Sequence, residues 1–197
     1  MEIKNRVKEI MQAEADAINA IPVTDEYAKA IDIIKNCKGK VITTGIGKAG
    51  LIARKLAATL CSTATPAAFL HPAESAHGDL GIIDSKDCII ALSTSGKSNE
   101  VIEMLELSKH LGVKNIIGIT SHVDSILRRY SDVVLDMGII KEPCPHGLTP
   151  SASIAAMLAI CDAIAIVLME IKGVTKHEYG LRHHGGYLGK QSRTDNT

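Results

Sequence analysis

The chain has very few aromatic residues: it contains no tryptophan, one phenylalanine and four tyrosines among 197 residues. Proteins that bind single-stranded nucleic acid stack the bases on aromatic side chains, so this sequence disfavours that class. Lysine plus arginine and aspartate plus glutamate both number 22, which gives a formal net charge of zero. Without a basic field to attract large polyanions, we expect no nucleic-acid partner.

Cysteine is also scarce and follows no motif. The five cysteines are odd in number and contain no CxxC, which argues against a disulfide framework or a zinc ribbon. The N-terminal segment mixes charged and apolar residues at helical spacing and has no uninterrupted apolar core, so it is not a signal peptide. We expect a cytoplasmic protein with reduced thiols.

The longest apolar run, Ile154 to Met169, is interrupted by Asp162. The run is too short to cross a bilayer, so we expect no membrane span. A helix that is apolar on nearly every side must be covered on every side, either in a deep core or in a subunit interface. The run therefore predicts an oligomer.

Apolar periodicity predicts alternating strands and helices after two N-terminal helices. The helices are expected at residues 2–20, 24–36, 48–60, 99–111, 124–129 and 154–169, and the strands at 40–44, 67–70, 87–93, 115–120 and 133–137. This alternation predicts an α/β fold: a doubly wound three-layer sandwich with a five-stranded parallel sheet. We expect a single domain over residues 1–197, with a core at about 25–189 and a loose tail at 191–197.

A run of hydroxyl residues follows the predicted third strand, in the segment DCIIALSTSGKSNE at 87–100. Four hydroxyls occupy the strand-to-helix turn: Ser93, Thr94, Ser95 and Ser98. Backbone N–H groups and the positive end of a helix dipole bind phosphate at such a turn, and Gly96 lets the backbone come close. In the alternative interpretation the serines only cap the helix. Glu100, one turn away, favours a site with a phosphate end and a chemical end.

The loop after the first predicted strand, GIGKAG at 45–50, formally has the GxGxxG spacing of dinucleotide-binding proteins. Those proteins carry an acidic residue at the end of the second strand to hold the ribose, whereas this chain has Leu70 and His71 there. Lys48 adds a cation that suits a sugar phosphate or a developing oxyanion. The sequence therefore disfavours NAD, and without GxxxxGK[ST] it disfavours a P-loop nucleotidase as well.

Four histidines lie in two polar loops. His71 and His77 flank Glu74, and His183 and His184 precede two glycines. Imidazole moves protons near neutral pH, although a loop histidine is also often solvated or bonded to backbone. The first two histidines and Glu74 could equally hold zinc, but no HExxH motif supports a dedicated metal enzyme.

Two more loops follow predicted strands. Thr120-Ser121-His122 ends the fourth strand, and KEPCPHGLTPS at 141–151 follows the fifth. Glu142 is the one carboxylate of the second loop; fixed beside an apolar helix, it is expected to be desolvated, with a pKa raised toward that of a working base. The alternative is a surface glutamate. Because ligands bind beyond the carboxyl ends of parallel strands, all these loops are expected to meet at one site.

Six segments in order resemble the sugar isomerase (SIS) domain family of D-arabinose 5-phosphate isomerases: TTGIGKAG, STATP, HPAESAHGDLG, LSTSGKSNE, KEPCPHGLTPS and LRHHGGYLG. The resemblance covers residues 25–189 and implies a flavodoxin-like SIS fold. It also implies an aldose–ketose isomerase that interconverts D-ribulose 5-phosphate and D-arabinose 5-phosphate through an enediol. That reaction is the first step toward Kdo, a lipopolysaccharide sugar of Gram-negative bacteria.

The resemblance also assigns residues. The catalytic candidates are Lys48, Glu100, Glu142 and His183. The candidates for binding substrate or phosphate, besides the four hydroxyls, are Gly47, Ser62, Thr65, His71, His77, Ser151 and His184. No cofactor is expected; His71 matches a zinc contact, and zinc is expected as an inhibitor. The resemblance further implies a homotetramer in which His183 completes a neighbouring subunit's site.

Many members of this family carry paired CBS domains after the isomerase domain. This chain stops at Thr197, so we expect no adenylate-type regulation through such domains. SIS domains also serve as ligand-binding modules of regulators, which leaves two alternatives: a non-catalytic sugar-phosphate sensor, or an isomerase of another phosphosugar. A sensor would need an output element, and no helix-turn-helix precedes residue 25.

Overall fold

Five short strands form one parallel sheet in the computed structural model, which describes residues 2–192. The strands are β1 (Val41–Gly45), β2 (Ala67–Leu70), β3 (Cys88–Leu92), β4 (Asn115–Thr120) and β5 (Val133–Asp136), in the order β2-β1-β3-β4-β5. β1 and β3 are buried at every residue, as expected for central parallel strands covered on both faces. The predicted five-stranded α/β sandwich is confirmed.

Helices cover both faces of the sheet, and the sheet separates the hydrophobic core into two layers. The helices are α1 (Ile3–Asn19), α2 (Glu26–Asn36), α3 (Gly47–Ser62), α4 (Pro72–Ser75), α5 (Asn99–His110), α6 (Ile126–Tyr130), α7 (Ala152–Ile171), α8 (Lys176–Arg182) and α9 (Gly186–Gln191). One core layer packs the sheet against α2, α3 and α7, and the other packs it against α5 and α6. These layers make the predicted three-layer arrangement.

Helix α7 is longer than the apolar run predicted. Its 20 residues reach from Ala152 to Ile171 with a mean hydropathy of 2.4, so it is long and apolar enough to cross a membrane by length and composition alone. The argument that the segment is too short was therefore wrong. Only 50% of its most apolar window is buried in the chain, and it packs against α1, α2 and α3. Burial on that scale fits a core helix whose remaining surface needs another cover.

Helix α1 lies on the outside of α7 and has no buried residue. The guanidinium of Arg6 donates a hydrogen bond to the carbonyl oxygen of Pro143, so α1 holds the loop that carries Glu142. Ile3, Val7 and Met11, spaced one helical turn apart, remain largely exposed. A helix with this apolar stripe presents a surface suited to burial against another molecule.

The sequence did not predict four short helical segments: α4, a 3₁₀ helix at Asp79–Ile82, α8 and α9. Helix α8 begins with a capping box in which Thr175 and Glu178 bond to each other's backbone amides, a signal that the sequence does contain. The predicted loose tail at 191–197 begins with Gln191, the last residue of α9, and residues 193–197 lie outside the described part of the chain.

Candidate active site

A cleft of about 510 Å³ opens at the carboxyl ends of β1 and β3. These neighbouring strands connect in opposite directions, β1 through α3 to β2 and β3 through α5 to β4, so the chain diverges between them. Open α/β sheets bind ligands at such a switch point. Predicted site residues in the cleft wall are Lys48, Ser93, Thr94, Ser95, Ser98 and Glu142.

The hydroxyl turn, residues 93–98 between β3 and α5, is held by hydrogen bonds within the turn, and its side chains do not cap the helix. Ser98 occupies the N-cap position of α5 but makes no capping hydrogen bond; its Oγ lies 3.0 Å from the Oγ of Ser93. Ser93 Oγ also accepts a hydrogen bond of 3.1 Å from the amide of Gly96. The interpretation that these serines only cap the helix therefore does not describe the turn.

The loop after β4 fixes the shape of this turn. The carbonyl oxygen of Thr94 accepts hydrogen bonds from the hydroxyls of Thr120 (3.1 Å) and Ser121 (2.9 Å). Gly96 adopts φ +61°, and a Cβ there would lie 2.3 Å from the Cβ of Ser125. Only glycine fits this contact, so the turn is shaped before any ligand arrives.

Three helix N-termini face the cleft. Ile46 and Lys48 come from the start of α3, Ser98 from the start of α5, and Ser153 and Ile154 from the first turn of α7. Helix N-termini carry partial positive charge and unpaired N–H groups, and Lys48 adds a full cation. The cleft is therefore suited to an anionic ligand.

Glu142 neutralises one of these termini. Its Oε2 accepts hydrogen bonds of 2.9 Å from the amides of Ser151 and Ala152, and its Oε1 accepts one of 3.2 Å from the amide of Ser153. Burial alone would raise the pKa of Glu142, but hydrogen bonds from Ser153, Ser151 and Ala152 outweigh burial and hold the pKa below the ordinary glutamate value. The expectation of a raised pKa was therefore wrong.

Other predicted site residues are not brought to the cleft by their own chain. Glu100 is exposed on α5, and His71, His77, His183 and His184 also lie outside the cleft wall. Within residues 2–192, no group of three or more His, Cys, Asp or Glu side chains is placed to hold a metal. The expected gathering of imidazoles and Glu142 around one cavity is thus absent from the described part of a single chain.

Two of these histidines have defined surroundings of their own. His71 meets Phe69 edge to face at 6.2 Å between ring centroids, and His183 stacks on Tyr179 at 5.0 Å. The Nδ1 atom of each ring is buried without a hydrogen-bond partner. The Cζ atom of Arg54 lies over the Phe69 ring, 4.2 Å from its centroid.

Ser62 and Thr65 lie near the amino end of β2, outside their own chain's cleft wall, so their place in a substrate site stays a prediction. Ser62 ends α3 and Thr65 precedes β2, whose first residue pairs with the first residue of β1. Thr65 is buried there, and its hydroxyl accepts a hydrogen bond of 2.7 Å from Lys172 Nζ. Gly47, by contrast, begins α3 beside the cleft with φ +60°, and Ser151 acts through its amide on Glu142.

Three polar residues of the cleft wall were not among the predicted site residues: Ser121, His122 and Ser153. The signal for the first two was present in the sequence, because their loop follows a predicted strand at the edge where ligands bind. Ser153 gave no signal, since it lies between the predicted loop at 141–151 and the predicted helix at 154–169.

The sequence of this chain is similar to those of known proteins. The family model for the SIS domain matches residues 33–167. The arabinose 5-phosphate isomerase KdsD of Pseudomonas aeruginosa PAO1 is 39% identical over 180 residues, covering 90% of this chain and 55% of the relative. KdsD of Escherichia coli K12 is 40% identical over 186 residues, covering 93% and 56%. The chain thus spans about half the length of the curated relatives it matches.

Two solved structures match over nearly their whole length. A candidate phosphosugar isomerase involved in capsule formation from Bacteroides fragilis NCTC 9343 has a TM-score of 0.91 and 43% identity, covering 94% of this chain and 99% of that one. The c3406 protein of E. coli CFT073, in complex with arabinose 5-phosphate, has a TM-score of 0.88 and 36% identity, covering 92% and 97%.

Proposed function

The chain belongs to the SIS domain family, and from that premise we propose that it interconverts D-ribulose 5-phosphate and D-arabinose 5-phosphate. The observation that carries the proposal is one cleft that combines a preformed hydroxyl turn with Lys48 and Glu142. A sugar phosphate needs both parts, one for its phosphate and one for its reacting carbons. The match to c3406 in complex with arabinose 5-phosphate and to the KdsD isomerases supports the choice of sugar.

The hydroxyl turn and the N-terminus of α5 form the proposed phosphate end. Hydroxyl and amide donors held in place before binding lose little freedom when the ligand arrives. The phosphate lies far from the carbons that react, so it is bound equally in the ground state and the transition state. This end therefore sets affinity more than rate.

Lys48 and Glu142 form the proposed chemical end. A carboxylate removes the proton from C2 of the aldose and returns it to C1, and a second proton passes from O2 to O1. The electron pair moves through an enediolate whose oxygen Lys48 stabilises. The reaction is balanced without an oxidant or reductant, so no redox cofactor is required. Glu142, being in the cleft, is the better placed of the two candidate bases, since Glu100 is exposed outside it.

A neighbouring subunit supplies the imidazole in this account. Opening the furanose ring of arabinose 5-phosphate needs an acid–base group, and His183 lies outside its own chain's cleft. The apolar stripe of α1 and the exposed Ile166, Val167 and Ile171 of α7 offer surface for assembly. We propose a homotetramer in which His183 and Glu100 serve a partner's site.

We propose that the reaction takes place in the cytoplasm and supplies the five-carbon sugar phosphate for Kdo and lipopolysaccharide synthesis. The similarity to arabinose 5-phosphate isomerases named KdsD supports the choice of sugar.

Incubation of the purified chain with arabinose 5-phosphate tests the function. We expect ribulose 5-phosphate to accumulate to equilibrium, with glucose 6-phosphate and sedoheptulose 7-phosphate as control sugars. Turnover of a control sugar alone would make the chain an isomerase of another phosphosugar. Binding of arabinose 5-phosphate without turnover of any sugar would make it a sensor.

A further inference from the structure

His122, which the proposed chemistry leaves unused, lies between two cavities. It lines the substrate cleft and also an adjoining cavity of about 360 Å³. Lys97 and Asp124 are in the wall of the second cavity. A ligand that extends along the cleft from the hydroxyl turn therefore meets this imidazole.

Hydrogen bonds fix which nitrogen of the ring a ligand can use. His122 Nδ1 lies 3.1 Å from the carbonyl oxygen of Thr94 and 3.0 Å from the hydroxyl of Ser121. A carbonyl oxygen only accepts, so in the tautomer that bonds to Thr94 the proton resides on Nδ1. Nε2 is then the nitrogen left for a ligand, as an acceptor in the neutral ring and as a donor in the protonated ring.

The backbone of His122 is also held. Its carbonyl oxygen accepts a hydrogen bond of 2.7 Å from Arg128 Nε, and the same guanidinium pairs with Asp136 at 2.6 Å. Contacts from the hydroxyl turn and from α6 therefore converge on one exposed loop residue, and Asp136 of β5 holds the guanidinium that makes the α6 contact. A side chain positioned in this way binds a ligand at a lower entropic cost.

We propose that His122 is a substrate-binding residue that, when protonated, donates a hydrogen bond from Nε2 to an oxygen of the sugar phosphate. The inference rests on the proposed function, because it names a ligand of the same cleft. The charged groups around the ring are Lys48 and Glu142 in the cleft, Lys97 and Asp124 in the second cavity, and the pair Arg128–Asp136 at its backbone. The hydroxyl turn supplies neutral donors, and His122 adds an imidazole donor beside them.

Two substitutions distinguish the roles of the two ring nitrogens of His122. In His122→Asn the amide nitrogen replaces Nδ1, so the bond to Thr94 is kept and the donor to the ligand is lost. In His122→Gln the longer side chain places an amide nitrogen near the position of Nε2, and that nitrogen donates at every pH. A purely structural role would therefore be preserved by Asn, and a ligand-binding role by Gln.

Steady-state kinetics with arabinose 5-phosphate at pH 6 and pH 8.5 give the first readout. Charge-assisted hydrogen bonds are the stronger ones, so His122→Asn should raise KM about tenfold at pH 6 and leave kcat within about twofold. The ratio of the variant KM to the wild-type KM should fall toward one at pH 8.5, because only a protonated imidazole donates from Nε2 while its Nδ1 bonds to a carbonyl. Taking the ratio cancels the titration of the phosphate itself. His122→Gln should show the smaller rise at pH 6.

The control is His110→Ala, an exposed histidine at the end of α5 that lines neither cavity. Its KM should match that of the wild type at both pH values. A wild-type KM for His122→Asn at pH 6, or an equal ratio at both pH values, would overturn the proposal.

Calorimetric titration of the same variants with arabinose 5-phosphate keeps this inference separate from the proposed function. Its dissociation constant should rise about tenfold in His122→Asn at pH 6 whether or not the sugar is turned over. Absence of turnover with that binding pattern would refute the isomerase and retain the role of His122. Turnover together with a wild-type dissociation constant for His122→Asn would retain the isomerase and refute the role of His122.

Discussion

At the residue scale, the proposed chemistry depends on a carboxylate whose oxygens already accept backbone N–H groups. Glu142 is held in place by Ser151, Ala152 and Ser153, and its lowered pKa keeps it ionised at neutral pH. Such a group is a weaker base than one with a raised pKa, but it is ionised at neutral pH and its hydrogen bonds fix its orientation. The backbone N–H groups around Glu142 therefore fix the position of the carboxylate and do not make it a stronger base.

Glu142→Gln should therefore lower kcat at least about a hundredfold, because it removes the proton acceptor and keeps the shape of the side chain. Glu100→Gln should have a comparable effect if Glu100 serves a partner's site. Initial rates with arabinose 5-phosphate measure both. Near-wild-type kcat in both variants would refute the proton-transfer scheme.

Ser95→Ala should raise KM more than it lowers kcat. Ser95 lines the cleft in the hydroxyl turn. A phosphate at this proposed site would be bound equally in the ground state and the transition state. We expect KM to rise about tenfold, the typical effect of losing a hydrogen bond to a charged group. Ser85→Ala, at an exposed position outside the cleft, is the matched control. An unchanged KM for Ser95→Ala would exclude the turn as the phosphate site.

At the element scale, the N-terminus of α7 depends on the ionised form of Glu142. A carboxylate with a lowered pKa in the folded state stabilises the fold above its unfolded pKa of about 4.3, and this stabilisation is lost as pH falls through the folded value. The wild type should therefore melt at a higher temperature than Glu142→Gln at pH 7, and the gap should narrow by about pH 3.5. A gap that is constant with pH would mean that the charge of Glu142 does not stabilise α7.

Much of the element pattern could be predicted from the sequence, because apolar strands and helical periodicity are local signals. The boundaries of β2 and β4 agree residue for residue, and those of β1 and β3 to within one residue. The pKa of Glu142 was predicted wrongly because its partners lie nine to eleven positions away and are backbone amides. Ser62 and Thr65 lie near the amino end of β2 and not in their own chain's cleft, because a local motif does not determine at which end of a strand a residue lies.

At the scale of the whole molecule, a shared site makes a specific prediction about mixed subunits. Glu142→Gln and His183→Ala homo-oligomers should each be impaired. Reassembly of the two in equal amounts should restore about a quarter of the wild-type sites, because random pairing joins an intact Glu142 to an intact partner His183 at that frequency. Activity that stays at the sum of the two variants would place each site within one chain. So would a fully active monomer by light scattering.

Assembly should also decide the effect of zinc. His71 and His183 each have a buried Nδ1 without a hydrogen-bond partner. If assembly brings these imidazoles together, they should bind late first-row metals. Zinc should inhibit more strongly at pH 8 than at pH 6, because protonated imidazole cannot ligate. Activity assays with zinc and with a chelator at both pH values measure this. Loss of activity to the chelator and recovery with zinc would make the chain a metalloenzyme.

Proton NMR of arabinose 5-phosphate with the protein in deuterium oxide decides whether this cleft isomerises the sugar. An enediol isomerase in this cleft predicts signals of ribulose 5-phosphate, solvent deuterium at its C1, and gradual loss of the C2 proton signal from the aldose. An aldose that keeps its C2 proton, with no ketose formed at high protein concentration, would contradict the assignment of this cleft as an isomerase site.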